Sequence, residues 1–159
     1  MTEHFTFREE VLIKYDEDNE LYEYFMEAFD AMPVSADVNG DYLCMHGGVS
    51  PDLQRLSDIN KINRFREPPL EGFFTDLLWS DPCEDKDAKR IQFKHNKARE
   101  CSFYFGSDPV KKIIKDNYLV SIVRAHQVKI EGYQMHHWGS KGAFPEVVTI
   151  FSAPNYCSH

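Results

Sequence analysis

The sequence predicts an α/β fold whose strands end in a shared functional site, and three apolar stretches carry that expectation. Tyr42–Met45 runs into His46-Gly47-Gly48, residues 119–123 into Arg124-Ala125-His126, and residues 147–151 into Ser152-Ala153-Pro154-Asn155-Tyr156. Each stretch is four or five residues long and rich in β-branched or aromatic side chains, so each reads as a buried strand. Histidine, arginine and tyrosine gathered at strand C-termini lie where open α/β sheets place their ligands. The pattern points to a metal- and phosphate-handling site.

Residues 5–32 read as helical. Phe5, Phe7, Val11 and Leu12 fit one face of a first helix. Asp18 or Asn19 can cap a second, in which Leu21, Tyr24, Phe25, Ala28, Phe29 and Met32 recur at helical spacing before Pro33 stops it. Asn39-Gly40-Asp41 turns the chain into the first strand. After Ser50-Pro51-Asp52, a short helix is expected within residues 53–65, broken by Pro68-Pro69. Residues 75–79 read as one helical turn ahead of Asp81-Pro82, and residues 84–90 as a charged surface loop. Asp108-Pro109 is a helix start, with Pro109 at the first helical position and the helix running to about Asn117. Turns at residues 129–132 and 138–142 separate the last strands. With no internal repeat or low-complexity linker, residues 1–159 read as one domain.

Hydrophobic content of 42% and aromatic content of 14% fit a globular chain able to bury a core. A formal charge of −8 argues against nucleic acid as the main partner, because phosphate backbones are held by clustered Lys and Arg. No run of 18 apolar residues exists, so no membrane-spanning helix is expected. The first residues, MTEHFTFREE, are polar and unlike a signal peptide. Cys44, Cys83, Cys101 and Cys157 form no Cys-x-x-Cys pair and read as free thiols, which places the chain in the cytoplasm, with the nucleus as the other compartment.

Neutral imidazole is a common metal ligand, and the glycines after His46 let the backbone approach a ligand closely. His126 stands in the same relation to its own strand, which makes the two histidines candidate metal ligands, although a histidine in a tight turn explains either one alone. Arg99 and Arg124 are candidate phosphate binders through their planar guanidinium forks, against the ordinary alternative of an ion pair. Tyr156 can present a hydroxyl to an anion or simply pack. Asp16, Asp18, Glu20 and Glu27 have the spacing of a calcium loop, but Leu21 stands where its glycine belongs, so they read as a helix N-terminus. His136-His137 reads as a solvent-facing hairpin turn. No base or second thiol near Cys44 or Cys157 suggests a nucleophile.

Four signatures together resemble the metal-dependent serine/threonine phosphatases of the phosphoprotein phosphatase family. They are residues 44–51 (CMHGGVSP), 77–82 (LLWSDP), 124–127 (RAHQ) and 152–157 (SAPNYC), in the family's order and approximate spacing. Within the family, residues 2–7 (TEHFTF), 64–69 (RFREPP) and Phe144-Pro145 look most like the catalytic subunit of calcineurin. The resemblance implies a metallophosphatase fold, a central β-sandwich flanked by helices. It implies that His46 and His126 ligate one metal of a dinuclear centre, that Arg99 binds phosphate and that Tyr156 lies near it. Trp79 and Asp81 match a motif that looks structural. It further implies two divalent metals (zinc, iron or manganese), a phosphoprotein substrate and a possible regulatory subunit.

The resemblance covers only the C-terminal half to two-thirds of a family catalytic domain. The family's upstream signatures carry the other metal's ligands, the bridging Asp, an Asn ligand, a second phosphate-binding Arg and the general-acid His. None occurs here. The expectation is therefore a partial fold, missing its N-terminal half, that retains ligands for only one metal and is inactive alone. Glu100 stands where the family has a glycine, a carboxylate beside the phosphate-binding Arg99. The other readings are a short non-catalytic binding subunit and one half of a split phosphatase.

Overall fold

A computed structural model describes residues 1–138 and 143–156. Contacts divide the chain into two compact units, Met1–Pro33 with Arg64–Glu67, and Val34–Asn63 with Pro68–His159.

The first unit is built on two helices, α1 (Phe7–Lys14) and α2 (Asn19–Ala31). Asp18 is the N-cap of α2, its carboxylate accepting a hydrogen bond from the Leu21 amide at 2.9 Å, so the acidic stretch caps a helix as expected. Met32 takes an extended conformation because it precedes Pro33, which ends the helix. Phe7 meets Phe25 edge-to-face at 5.4 Å and packs beside Phe29. Tyr22 is the buried residue of α2, its hydroxyl 2.8 Å from Thr2 Oγ1. Tyr24, expected on the apolar face, is exposed and donates to Glu20, and Phe5 is exposed as well. The aromatic ring at either position satisfies the helical period; packing chose Tyr22.

The second unit holds two sheets. The larger has the order β1 (Ser35–Val38), β2 (Tyr42–Met45), β6 (Ser121–Arg124), β8 (Val147–Ile150), β7 (Tyr133–His136). Its central pairs β2–β6 and β6–β8 are parallel, and the edge pairs are antiparallel. Parallel neighbours require a long crossover. The chain between β2 and β6 supplies it, with α3 (Leu56–Ile59), α4 (Phe73–Trp79), α5 (Ser107–Asp116) and the smaller sheet, β3 (Asp81–Pro82), β5 (Phe103–Phe105) and β4 (Phe93–His95). Leu43, Val49, Leu77, Phe105, Val110, Ile122 and Val147 form one core shared by both sheets. The Phe105 ring meets Trp138 edge-to-face at 6.4 Å.

Three expected strands are present, but β1, β4 and β5 lack a readable pattern: β1 is largely exposed and the other two are three residues long. The helix expected within residues 53–65 contracts to Leu56–Ile59. Pro109 is the third residue of α5 and not the first, a position tolerated because first-turn amides have no intrahelical partner. His136 is not in a solvent-facing turn. It is 2% exposed in β7, with Nδ1 3.3 Å from Asp85 Oδ1 and Nε2 3.1 Å from Thr149 Oγ1. The turn expected at 138–142 falls mostly outside the described residues, as does Cys157. Cys44, Cys83 and Cys101 are free thiols, and burial pushes Cys83 up to about 11, far from a nucleophile's range.

Candidate active site

The parallel register of β2 and β6 places Met45 opposite Arg124, so the residues that follow each strand emerge side by side. His46 follows immediately and His126 one residue later, with the Ala125 amide donating to the His46 carbonyl at 3.1 Å. His46 Nε2 and His126 Nδ1 stand 3.0 Å apart. His126 has a φ of 68°, a left-handed conformation uncommon outside glycine, and such outliers cluster at functional sites. Trp79 packs edge-on against the His126 ring at 5.2 Å.

The turn after His46 is held by its glycines. A Cβ on Gly47 would meet the Leu78–Trp79 backbone, with Trp79 N only 2.6 Å away, and one on Gly48 would run into the Phe105 ring. The Gly47 amide instead donates to the Leu77 carbonyl at 2.9 Å. Side chains at these positions would force the histidine turn off α4.

Asp81, 2% exposed, organises the floor. Its Oδ1 accepts from Arg124 Nη2 at 2.9 Å, and its Oδ2 from Arg99 Nε at 3.0 Å and Asn96 Nδ2 at 2.9 Å. Arg124 is 1% exposed and its donors go to Gly47 O, Ser80 O, Asp81 and Gln127. It is a clamp inside the fold, which removes it from the candidate phosphate binders. Arg99 is half-buried. It donates through Nη2 to the His126 carbonyl at 3.1 Å and keeps Nη1 unengaged among the described residues. Glu100 does not pair with it: its side chain is exposed and Arg99 is committed to Asp81.

Electrostatics keep both imidazoles neutral. Burial first, then the positive Arg99, holds His126 well below the usual histidine range. His46 keeps solvent access and is lowered by desolvation, then by Arg124 and Arg99. Neutral imidazole is the form that ligates metal. Two nitrogens that each lie about 2.0–2.1 Å from one cation stand roughly 3.0–3.4 Å apart, so the observed 3.0 Å separation fits a shared divalent ion. His126 Nε2 is also buried with no hydrogen-bond partner among the described residues. Among the described residues, no group of three or more His, Cys, Asp or Glu side chains gathers to complete such a site.

Tyr156 follows β8, the strand beside β6, and so leaves the sheet at the same end. Its ring meets Phe151 edge-to-face at 5.2 Å, and no hydrogen bond joins it to the histidines or Arg99 among the described residues. The structure therefore brings His46, His126 and Arg99 together and sets Tyr156 apart from direct contact. Sequence reasoning missed Asn96, Ser50, Ser102 and Asp76. Asp76, raised above the usual carboxylate range by burial, carried one readable signal, an acid inside the apolar run Phe73–Trp79.

A neutral histidine pair at adjacent parallel strand ends, beside a guanidinium, is an arrangement suited to a metal and a phosphate. The chain belongs to the calcineurin-like phosphoesterase family, whose sequence model matches residues 3–129. It is 44% identical over 165 residues to the serine/threonine-protein phosphatase 2B catalytic subunit A1 of Saccharomyces cerevisiae, covering 98% of this chain and 30% of that protein. It is 42% identical over 158 residues to human serine/threonine-protein phosphatase 5, covering 99% of this chain and 29% of that protein. A solved protein serine/threonine phosphatase from Saccharomyces cerevisiae, with similarity to human phosphatase PP5, superposes with a TM-score of 0.77 at 34% identity, covering 95% of this chain and 43% of that one. The chain thus spans about a third of the length of the curated relatives it matches, and its fold is a partial metallophosphatase fold. No helix among the described residues is long and apolar enough to cross a membrane.

Proposed function

We propose that this chain carries one part of the active site of a serine/threonine protein phosphatase, the part that holds one divalent metal and the substrate phosphate. The observation that carries the reading is the 3.0 Å approach of His46 Nε2 to His126 Nδ1, with Arg99 bonded to the carbonyl of the second histidine. His46 and His126 would hold the cation; zinc and iron suit imidazole, and manganese would draw on carboxylate or water ligands as well. When bound, such an ion supplies Lewis-acid polarisation of the phosphoryl oxygens and an activated water.

The chain's own residues do the rest of the local work. Arg99, oriented by Asp81, offers Nη1 to a phosphoryl oxygen and offsets its charge. Trp79 fixes the His126 ring edge-on. Tyr156, which leaves the sheet at the same end through β8, is assigned a place near the phosphate, without a hydrogen bond to the histidines or Arg99 among the described residues. The substrate is a phosphoserine or phosphothreonine protein, a regulatory subunit is a fitting partner, and the cytoplasm or nucleus is the compartment. Turnover needs a second metal's ligands and a general acid in addition to these residues.

The test is a titration of the chain with Co²⁺, followed by visible absorption, and an assay on a phosphoserine peptide. One ion bound per chain, lost in His46→Ala and in His126→Ala, with hydrolysis appearing only when the upstream segment of a relative is co-expressed, is the expected result. Two ions bound by the chain alone, or metal uptake unaffected by either substitution, would sink the assignment.

A further inference from the structure

Asp76 lies in α4 at 2% exposure, and no cation pairs with it among the described residues. Its oxygens are taken by two hydroxyls: Ser50 Oγ donates to Oδ2 at 2.7 Å, and Ser102 Oγ donates to Oδ1 at 2.8 Å. Burying a carboxylate against neutral partners costs free energy that an apolar residue of similar size would avoid. A packing role alone does not explain the choice of residue.

The two serines belong to different loops. Ser50 ends the turn that begins with His46, and Ser102 ends the loop that carries Arg99. That loop closes on itself, the Asn96 amide donating to the Ser102 carbonyl at 3.0 Å, and the Asn96 side chain reaches Asp81 at 2.9 Å. The segment 76–81 therefore clasps the Arg99 loop at both ends, through Asp76 and Asp81, and holds the histidine turn through Ser50 and the Leu77 carbonyl. We propose that Asp76 is a positioning residue that fixes the separation between the metal-binding histidine turn and the phosphate-binding Arg99 loop, a role that rests on the phosphatase reading above. A carboxylate suits the task because each of its oxygens accepts from one hydroxyl, whereas an amide has a single accepting oxygen and meets the second hydroxyl only by reversing that bond, and an apolar side chain meets neither.

The experiment separates the two arms in the full chain with Ser102→Ala, Ser50→Ala and Asp76→Asn. The readouts are the NMR signals of the Arg99 Nε–H and of the histidine ring Cε1–H groups, the affinity for inorganic phosphate and the affinity for Co²⁺. Ser102→Ala is expected to shift the Arg99 signal more than the histidine signals and to weaken phosphate binding about tenfold while leaving Co²⁺ affinity unchanged. Ser50→Ala is expected to do the reverse, and Asp76→Asn to move both sets while the chain stays folded. The proposal is overturned if neither serine variant moves its own arm, or if each moves both arms alike, as general loosening would. If the parent chain takes up neither phosphate nor Co²⁺, the phosphatase reading fails separately, and the side-chain signals still decide the role of Asp76.

Discussion

At the scale of single residues, backbone conformation and burial explain two departures that composition hides. Glu100 sits at φ 58°, the left-handed region that favours glycine, so the residue that stands where the resemblance leads one to expect glycine carries strain. Left-handed backbone costs an L-residue roughly 1–2 kcal/mol, partly offset by glycine's larger unfolded-state entropy. Glu100→Gly is expected to stabilise the chain by about 1 kcal/mol in urea unfolding; a loss of stability would show that Glu100 makes a compensating contact.

His136 gives the pH dependence. Burial lowers its pKa below the ordinary value, against the pull of Asp85 and with repulsion from Lys129 and Arg124. An unfolded histidine takes a proton near about pH 6.5. The unfolded state therefore binds more protons as pH falls below that point, so the stability present above it is lost toward the lower native value. His136→Gln keeps hydrogen-bonding groups without titrating, and is expected to flatten the fall of Tm with acidification below about pH 6.5. An unchanged slope would place the acid sensitivity at other groups.

At the scale of elements, the site depends on how closely the His46 turn seats on α4. Gly47 lies where any Cβ would enter the α4 backbone, and backbone cannot yield as a flexible side chain can. Gly47→Ala is expected to cost about 3 kcal/mol in chemical unfolding and to displace His46 from His126, seen as loss of Co²⁺ uptake. Full retention of metal binding would mean that the turn can lift without separating the histidines. The same reasoning shows why the short elements were illegible: β4 and β5 have three residues each, too few to show alternation, and β1 is a mostly exposed edge.

At the scale of the whole molecule, protection should follow burial. β6 has a paired strand on each side and three of its four residues buried, whereas α1 buries Val11 alone. Amides of Ile122 and Val123 are expected to exchange only through global opening, and those of α1 through local fraying, in native-state hydrogen exchange. Comparable protection in both would mean that α1 is secured by more than its own contacts.

Sequence alone determined the strand Tyr42–Met45, the presence of strands that the structure bounds at Ser121–Arg124 and Val147–Ile150 in place of the expected 119–123 and 147–151, the capping of α2, and the candidacy of His46 and His126, because periodicity, capping and strand-end placement are local properties. The family resemblance it carried agrees with the matches to known phosphatases. Only the tertiary structure decided which arginine faces solvent and which locks the core, that His136 is buried, and that Asp81 and Asp76 share out the polar groups beneath the site. Arg99 and Arg124 are the same residue type, each close to a strand, and nothing adjacent to either marks its partner. The carboxylate that receives them stands 18 and 43 positions away, and such pairings exist only once the two sheets close around a common core.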